Sequence, residues 1–462
     1  MHMAALADEE PDRENGNSGN GWLQYVDVKP GANLKHALLS PYSSNACLET
    51  PGNPLQLFSI LGESEGPCVC LYDSNSKSCV KIISSDHVGG GFETLKTKRI
   101  GVIHTNHAFY SNELFVAAYS SSVYIFKISS LDDDANASNS KPVALKLVRQ
   151  FTNLNFQVLD VGISKWTTHP SDDDTLSLKD SYVLVLGGSA GAFMYTFETQ
   201  LLENDEKDCC VVENSLLRQL KSSQYCVSNV AVGHVTNLVS MACKDGRCMV
   251  LDYGHGYDKG STVTSEYRIS TDKTDGRITD LAFNSDDTLL IVSFWPGHVY
   301  VYKPAAIETV GNKASLWLQT YCLPSINLTT SSDINFPRFS PSMNPTVFSV
   351  AHLGKHDVVF IYQGRFDRWV VVDPRSGRRY FLVERMIGFE LKRLLSPARE
   401  IGGSDDYSFH ERISAFCITA IKCFHRESNE KTVDNCIRED CNFEIEFVCL
   451  TNKKVYQFRI RV

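Results

Sequence analysis

The sequence predicts an all-β protein built from repeated antiparallel sheets, and three observations support this prediction. First, residues 277–302 contain three short apolar runs separated by polar turns at 284–287 and 295–298. These runs have the length and the β-branched and aromatic content of strands. Second, a pair of such runs joined by a turn, which is the pattern of a hairpin, recurs at seven places in the chain. Third, further strand-like runs precede or follow most of these hairpins. One such unit cannot bury its own faces, so its repetition indicates a stack of sheets.

The recurring hairpins give the positions of the central strands. In chain order they span 57–72, 114–126, 182–197, 238–253, 289–302, 347–362 and 445–458. Upstream runs predict inner strands at 99–105, 158–166, 227–233, 334–339 and 413–424, and downstream runs predict outer strands at 79–83, 143–151, 267–270 and 316–323. The spacing exceeds the roughly 40–50 residues of a four-stranded propeller blade. We therefore expect a seven-bladed β-propeller of four-stranded antiparallel blades with insertions, or eight blades if the last insertion begins another.

The two ends of the chain predict how the ring of blades closes. The seventh unit has no downstream strand, because the chain ends at Val462, while the strand-like run 22–28 has no hairpin of its own. Borrowing a strand from the opposite terminus leaves no exposed sheet edge. We expect 22–28 to complete the last blade, residues 1–20 to be a disordered acidic tail, and 21–462 to be a single propeller domain.

A few dipeptides carry a resemblance to a known family. Gly233-His234 stands near the start of a unit, and Tyr72-Asp73 and Tyr302-Lys303 stand where units end. With this strand rhythm, residues 22–462 resemble a divergent member of the WD-repeat β-propeller family, in which most Gly-His and Trp-Asp dipeptides are missing. The resemblance implies a non-enzymatic scaffold without a cofactor, which binds other protein subunits within an intracellular complex.

Composition and charge narrow the functional classes. The chain has 462 residues, 43% of them hydrophobic and 21% charged, and a formal net charge of −9. This balance argues against a protein devoted to coating nucleic acid. No run of 18 apolar residues predicts a membrane span, and the N-terminus lacks the apolar core of a signal peptide. We therefore expect a nuclear or cytoplasmic location, where the 15 cysteines would be reduced thiols.

The segment 364–412 interrupts the repeat and is the candidate source of specificity. It reads as a basic hairpin over 369–385 with its tip at 374–377, a helix over 386–395 and an acidic loop over 402–411. The candidate partner-binding residues are Arg365, Arg368, Arg375, Arg378, Arg379, Lys392 and Arg393. These charges could be solvated, grip an acidic protein, or contact the phosphate of a nucleic acid or phosphoinositide. The order Gly377-Arg378-Arg379-Tyr380 differs from the Phe-Arg-Arg-Gly of phosphoinositide-binding propellers, which weakens the phosphate alternative.

Metal and catalytic signals are weak. Cys423, His425, Cys436 and Cys441 could close a zinc site, but the usual two-residue gap between paired cysteines is missing, so free thiols are the favoured interpretation. The sequence contains no HExxH, G-x-S-x-G or Walker motif, and its glycine clusters fall at hairpin turns. The sequence therefore predicts a protein that is not an enzyme.

Overall fold

The structure is a computed structural model that describes part of the chain. The described residues are 34–36, 57–63, 67–73, 78–84, 105–110, 113–119, 121–130, 143–166, 181–198, 210–220, 225–244, 246–252, 265–268, 278–294, 298–304, 317–323, 346–353, 356–363, 368–395, 413–424, 442–451 and 455–461.

Almost all regular structure in these residues is β. The first strands are β1 (Leu34–His36), β2 (Leu57–Glu63), β3 (Pro67–Asp73), β4 (Ser78–Ser84), β5 (Thr105–Tyr110), β6 (Leu114–Tyr119), β7 (Ser122–Ser130), β8 (Val143–Phe151) and β9 (Val158–Trp166). Next come β10 (Ser181–Gly188), β11 (Gly191–Glu198), β12 (Cys210–Val211), a 3-10 turn (Asn214–Leu216), β13 (Arg218–Gln219), β14 (Val227–Val232), β15 (Leu238–Cys243), β16 (Cys248–Asp252) and β17 (Ser265–Arg268). The remaining elements are β18 (Ile278–Phe283), β19 (Leu290–Phe294), β20 (His298–Pro304), β21 (Trp317–Leu323), β22 (Thr346–Leu353), β23 (His356–Gln363), β24 (Arg368–Val372), helix α1 (Phe381–Leu395), β25 (Ile413–Phe424), β26 (Asn442–Thr451) and β27 (Val455–Arg461).

Within the described ranges, these strands form seven sheets, which follow one another along the chain. Sheets 1 to 5 have the orders β1-β2-β3-β4, β12-β8-β7-β6-β5, β13-β11-β10-β9, β14-β15-β16-β17 and β18-β19-β20-β21; sheets 6 and 7 have the orders β22-β23-β24 and β25-β26-β27. From β2 onward, neighbouring strands of the described sheets pair antiparallel, except that the short β12 pairs parallel with β8. The predicted all-β class and all seven predicted hairpins are confirmed.

Alternating burial shows how neighbouring sheets stack. In β10, Tyr182, Leu184 and Leu186 belong to an apolar cluster with residues of sheet 2, while Val183 and Val185 belong to a cluster with residues of sheet 4. Successive side chains of a strand point to opposite faces, so sheet 3 lies between its two neighbours. The inner strands β5, β9, β14 and β18 lie side by side in that order. Sheets that stack face to face around successive inner strands are the arrangement of propeller blades.

Buried carboxylates join the inner edges of adjacent sheets. The Oδ2 of Asp160 on β9 accepts a hydrogen bond of 2.9 Å from the backbone N–H of Val230 on β14. Between sheets 4 and 5, the carboxylate of Asp287 accepts hydrogen bonds of 2.8 Å from the backbone N–H groups of His234, Val235 and Thr236. Both aspartates are almost completely buried. Because these four donors are backbone groups, the contacts fix the relative position of the sheets.

The chain divides into two compact units. The larger unit contains sheets 1 to 5 and the turn Pro374–Gly377, and the smaller unit contains sheets 6 and 7 with α1. In the smaller unit the rings of Trp369 on β24 and Phe416 on β25 meet edge to face at 4.8 Å, which packs its two sheets together. The single domain that the sequence predicts over 21–462 stays a prediction.

The prediction of a second strand in the basic hairpin is wrong. Beyond the turn, Val372 and Arg379 form one isolated antiparallel bridge, and α1 begins at Phe381, five residues before the predicted helix start. The reason is the spacing of the side chains that bury. Val383 and Ile387 lie four residues apart and are buried, as one face of a helix requires, whereas a strand would need alternation.

Several other predictions lie outside the described residues. They include the tail 1–20, the closing strand 22–28, the inner strand 334–339 and the acidic loop 402–411. The nearest described segment, β1, pairs with β2 in sheet 1. Closure of the last blade by an N-terminal strand, and the number of blades, therefore stay predictions.

Candidate interaction surface

A tight connection from β24 positions α1 on the smaller unit. Tyr380 donates a backbone hydrogen bond of 2.9 Å to the carbonyl of Val371, and Asp373 donates one of 2.9 Å to the carbonyl of Arg378. Gly377 adopts a φ of 72°, the left-handed conformation that glycine reaches without steric strain. The backbone therefore turns sharply after β24 and leads directly into the first turn of α1.

A buried ion pair holds the first turn of α1 against β24. The Nε of Arg379 donates to Oε1 of Glu384 at 3.0 Å, and its Nη2 donates to Oε2 at 2.6 Å, which makes the pair bidentate. The same carboxylate accepts a hydrogen bond of 3.0 Å from the backbone N–H of Val371. The side chains are only 17% and 8% exposed. A carboxylate near a helix N-terminus is also favoured by the helix dipole, so α1 is firmly anchored.

The opposite side of α1 carries large apolar side chains in solvent. Phe381 and Leu382 are each 59% exposed and Phe389 is 67% exposed. Arg385 is also exposed, and it lies four residues from both phenylalanines and three from Leu382. Helical residues three or four apart are neighbours on the surface. We call this group, Phe381, Leu382, Arg385 and Phe389, the α1 face.

Arginine side chains border the α1 face. The guanidinium of Arg379 lies 4.4 Å from the centre of the Phe381 ring, and that of Arg378 lies 5.9 Å from the centre of the Tyr380 ring. Burial raises the pKa of Tyr380, and the charge of Asp373 adds to this, while Arg378 partly offsets it. Arginine above an aromatic face is a favourable cation–π arrangement. The charge of Arg379 is offset by Glu384, whereas the exposed Arg378 places positive charge next to the start of α1.

Arg375 belongs to the larger unit and has a carboxylate partner there. Its Nη2 donates to Oδ2 of Asp286, in the turn between β18 and β19. Burial raises the pKa of the Asp286 carboxyl, but hydrogen bonds from Thr288 and the charge and hydrogen bond of Arg375 more than compensate, so the pKa lies below its ordinary value. Both side chains remain well exposed, and such pairs contribute little stability.

The remaining predicted interaction residues are only partly described. Arg365 lies outside the described residues, Arg368 begins β24, and Lys392 and Arg393 lie in the second half of α1, where the structure describes the backbone alone. Of the predicted interaction residues, the structure therefore brings Arg378 and Arg379 to the start of α1, and it places Arg375 in a separate contact.

Three of the four predicted zinc ligands lie outside the described residues. Cys423 lies on β25 opposite Phe443, and His425, Cys436 and Cys441 lie outside the described residues. In the part of the chain that the structure describes, no group of three or more His, Cys, Asp or Glu side chains could hold a metal ion. Burial raises the pKa of the Cys248 thiol to about 12, so this cysteine is a packed core residue rather than a reactive thiol.

The prediction from the sequence did not include the exposed apolar residues of α1. It treated Phe381 and Leu382 as part of a strand and took the arginines as the distinctive feature. A signal was present, because consecutive apolar residues at 381–383, followed by 386, 387 and 389, cover more of a helix circumference than one buried stripe requires.

The comparisons with known proteins give low similarities. No protein-family model matches the chain, and no curated protein matches it. Among solved structures, the β-propeller domain of Cps50 (Swd1) from Myceliophteria thermophila is 8% identical, with 96% of this chain and 99% of that chain covered and a TM-score of 0.46. Hsv2 from Kluyvelomyces marxianus is 12% identical, with 71% and 80% covered and a TM-score of 0.36. Likenesses this distant say nothing about function.

Among the helices that the structure describes, none is both long enough and apolar enough to cross a bilayer.

Proposed function

We propose that this protein is a non-enzymatic scaffold that binds other proteins, as a subunit of an intracellular multiprotein complex in the nucleus or cytoplasm. The observation that supports this best is the α1 face. Three large apolar side chains, each more than half exposed, stand on a helix that a buried ion pair fixes to a sheet. Exposed aromatic and aliphatic residues grouped on a rigid support are typical of protein interaction sites.

The stacked sheets supply the rigid support that a scaffold requires. In the smaller unit, which carries α1, the rings of Trp369 on β24 and Phe416 on β25 meet edge to face at 4.8 Å, and residues 370–372 of β24 are buried. A binding surface on such a framework loses little conformational freedom when a partner binds.

The phosphate-binding alternative has less support than the protein-binding proposal. This alternative depends on the arginines around the predicted hairpin tip, Arg375, Arg378 and Arg379. Arg375 and Arg379 each contact a carboxylate within the chain. A phosphate group would have to compete with these partners. Salt titration checks the alternative directly, because binding driven by phosphate contacts weakens steeply as the salt concentration rises.

The experiment that tests the proposed function is purification of the tagged full chain from its native cells under gentle conditions, followed by size-exclusion chromatography. We expect the chain to elute with a fixed set of proteins in constant ratio. Elution of the chain alone, at the mass of a single copy, would contradict the proposal.

Point substitutions are the right way to locate the binding surface. Removing the whole segment 364–412 would also remove β24, which pairs with β23 along five residues. Aspartate at Leu382 and Phe389 changes only exposed side chains. A matched control is aspartate at Leu216, which is 56% exposed and lies on the larger unit.

A further inference from the structure

We propose that the α1 face binds an acidic segment of another protein that carries large apolar side chains. This inference rests on the proposed function and names the chemical class of the partner.

The apolar part of the surface calls for a partner with large apolar side chains. Leu382 and Phe389 lie seven residues, about two turns, apart on one line of the helix, and Phe381 lies to one side of that line. Water contacts more than half of each side chain. A partner that supplied only charge would leave this apolar surface in contact with water, whereas leucine or phenylalanine side chains of a partner would bury it.

The charge around the surface calls for an acidic partner. Between residues 378 and 395 the chain has five basic residues, Arg378, Arg379, Arg385, Lys392 and Arg393, and two acidic ones, Glu384 and Glu390. Glu384 is buried and paired with Arg379, so these two charges offset each other, and four basic residues and Glu390 remain. The chain as a whole has a formal charge of −9, which makes this basic segment a local feature. Complementary charge selects the partner and speeds its association.

Arg385 combines the two requirements in one place. Its exposed side chain lies among Phe381, Leu382 and Phe389 and not at the edge of an apolar patch. A carboxylate that pairs with Arg385 would therefore be surrounded by apolar contacts. Arginine and aromatic residues are the types enriched at the energetically important centre of protein interfaces. This arrangement favours a short segment with a carboxylate flanked by apolar residues.

The first experiment selects partners by chemistry. A displayed library of random peptides is selected on the full chain and depleted on the double variant Leu382→Asp, Phe389→Asp. The peptides have about 16 residues, because a helical partner makes its contacts over about two turns or more. We expect the surviving peptides to be enriched in both carboxylates and large apolar residues. Survivors that are basic or lack apolar residues would overturn the inference, as would equal recovery on the chain and the variant.

The second experiment measures affinity with one selected peptide, labelled for fluorescence anisotropy. Phe389→Ala should weaken binding about 30-fold, the loss typical of a central interface residue. Arg385→Glu should weaken it about tenfold, while Arg385→Lys should stay within about threefold, because it keeps the charge. Equal weakening by the control Leu216→Asp, or an unchanged affinity for Arg385→Glu, would refute the assignment. Matching thermal melts verify that each variant is folded.

Two further measurements test other occupants of the surface. Light scattering of the purified chain detects self-association, and flotation with vesicles containing phosphatidylinositol phosphates detects lipid binding. We expect a monomer that does not float with the vesicles. A dimer or a vesicle complex that Phe389→Ala abolishes would assign the α1 face to that occupant and overturn the inference.

The outcomes separate the two proposals. If the full chain elutes with fixed partners but the selection yields no acidic apolar peptides, the partner class assigned to the α1 face is wrong and the scaffold function stands. If the full chain elutes alone, the scaffold function itself fails.

Discussion

Substitution of Asp287 tests whether buried carboxylates hold neighbouring sheets together. Asp287 lies in the turn between β18 and β19, and it is 2% exposed. Its carboxylate accepts hydrogen bonds of 2.8 Å from three consecutive backbone N–H groups, at His234, Val235 and Thr236, and one of 2.8 Å from the Thr236 hydroxyl. Gly233 precedes these donors, and a Cβ at that position would come within 2.7 Å of the Asp287 carboxylate. The turn between β14 and β15 is therefore shaped around this side chain.

The magnitude follows from the donors that would lose their acceptor. A hydrogen bond to a charged group is worth about 1.5–3 kcal/mol, and removing an acceptor leaves buried donors unsatisfied. Since the donor residues are partly exposed, water can replace part of the loss, and contributions from neighbouring bonds do not add fully. We expect Asp287→Gly to lower the free energy of unfolding by about 3 kcal/mol. Asp287→Ala should lower it by about 1 kcal/mol more, because Asp287 has a φ of 57° and Cβ disfavours that conformation.

Hydrogen exchange and urea unfolding check this prediction. The amides of residues 234–236 should exchange about 100-fold faster in Asp287→Gly, since each 1.4 kcal/mol corresponds to a factor of ten in the opening equilibrium. Thr236→Val, which removes only the hydroxyl, should lose about 1 kcal/mol. The reasoning is refuted if Asp287→Ala unfolds within about 0.5 kcal/mol of the natural chain, the range of ordinary surface changes, and if the three amides keep their protection.

Three further predictions concern ionisable groups. Glu384→Ala leaves the mostly buried guanidinium of Arg379 without its partner, so it should lower the free energy of unfolding by about 3 kcal/mol. A loss below about 1 kcal/mol, as for an exposed pair, would contradict the anchoring of α1. Folding lowers the pKa of Asp286, so the ionised carboxylate stabilises the folded state. The difference in stability between the natural chain and Asp286→Asn should be complete above the unfolded carboxyl's pKa of about 3.9 and should shrink as the pH falls below it. A difference that grows in acid would exclude this linkage. Burial raises the pKa of Cys248 to about 12, so at about pH 8 iodoacetamide should label the partly exposed Cys226 much faster than Cys248. Peptide mass spectrometry measures both rates, and equal rates would show that the core around Cys248 opens.

The candidate surface was only partly predictable from the sequence. The sequence drew attention to the segment around Arg378 and Arg379, and both residues do lie at the start of α1. It assigned Phe381 to a strand, because a strand and a helix segment cannot be told apart over a few apolar residues. The contacts that hold α1 against β24 involve Glu384. Its carboxylate accepts a hydrogen bond from the backbone N–H of Val371, thirteen residues earlier and on a different element. No local pattern reports a contact of this kind.

The sequence by itself determined the all-β class and the order of the hairpins. Both depend on strand alternation and on turn residues, which act over a few positions, and β8, β9 and β25 match their predicted bounds to the residue. Only the tertiary structure decided where charges are paired and which apolar side chains stay in water. Arg375 contacts Asp286 across 89 residues of chain, and Phe389 is exposed while Ile387 is buried on the same helix. Whether a side chain is buried or paired depends on which distant elements pack around it, and that packing is not a property of its neighbours in sequence.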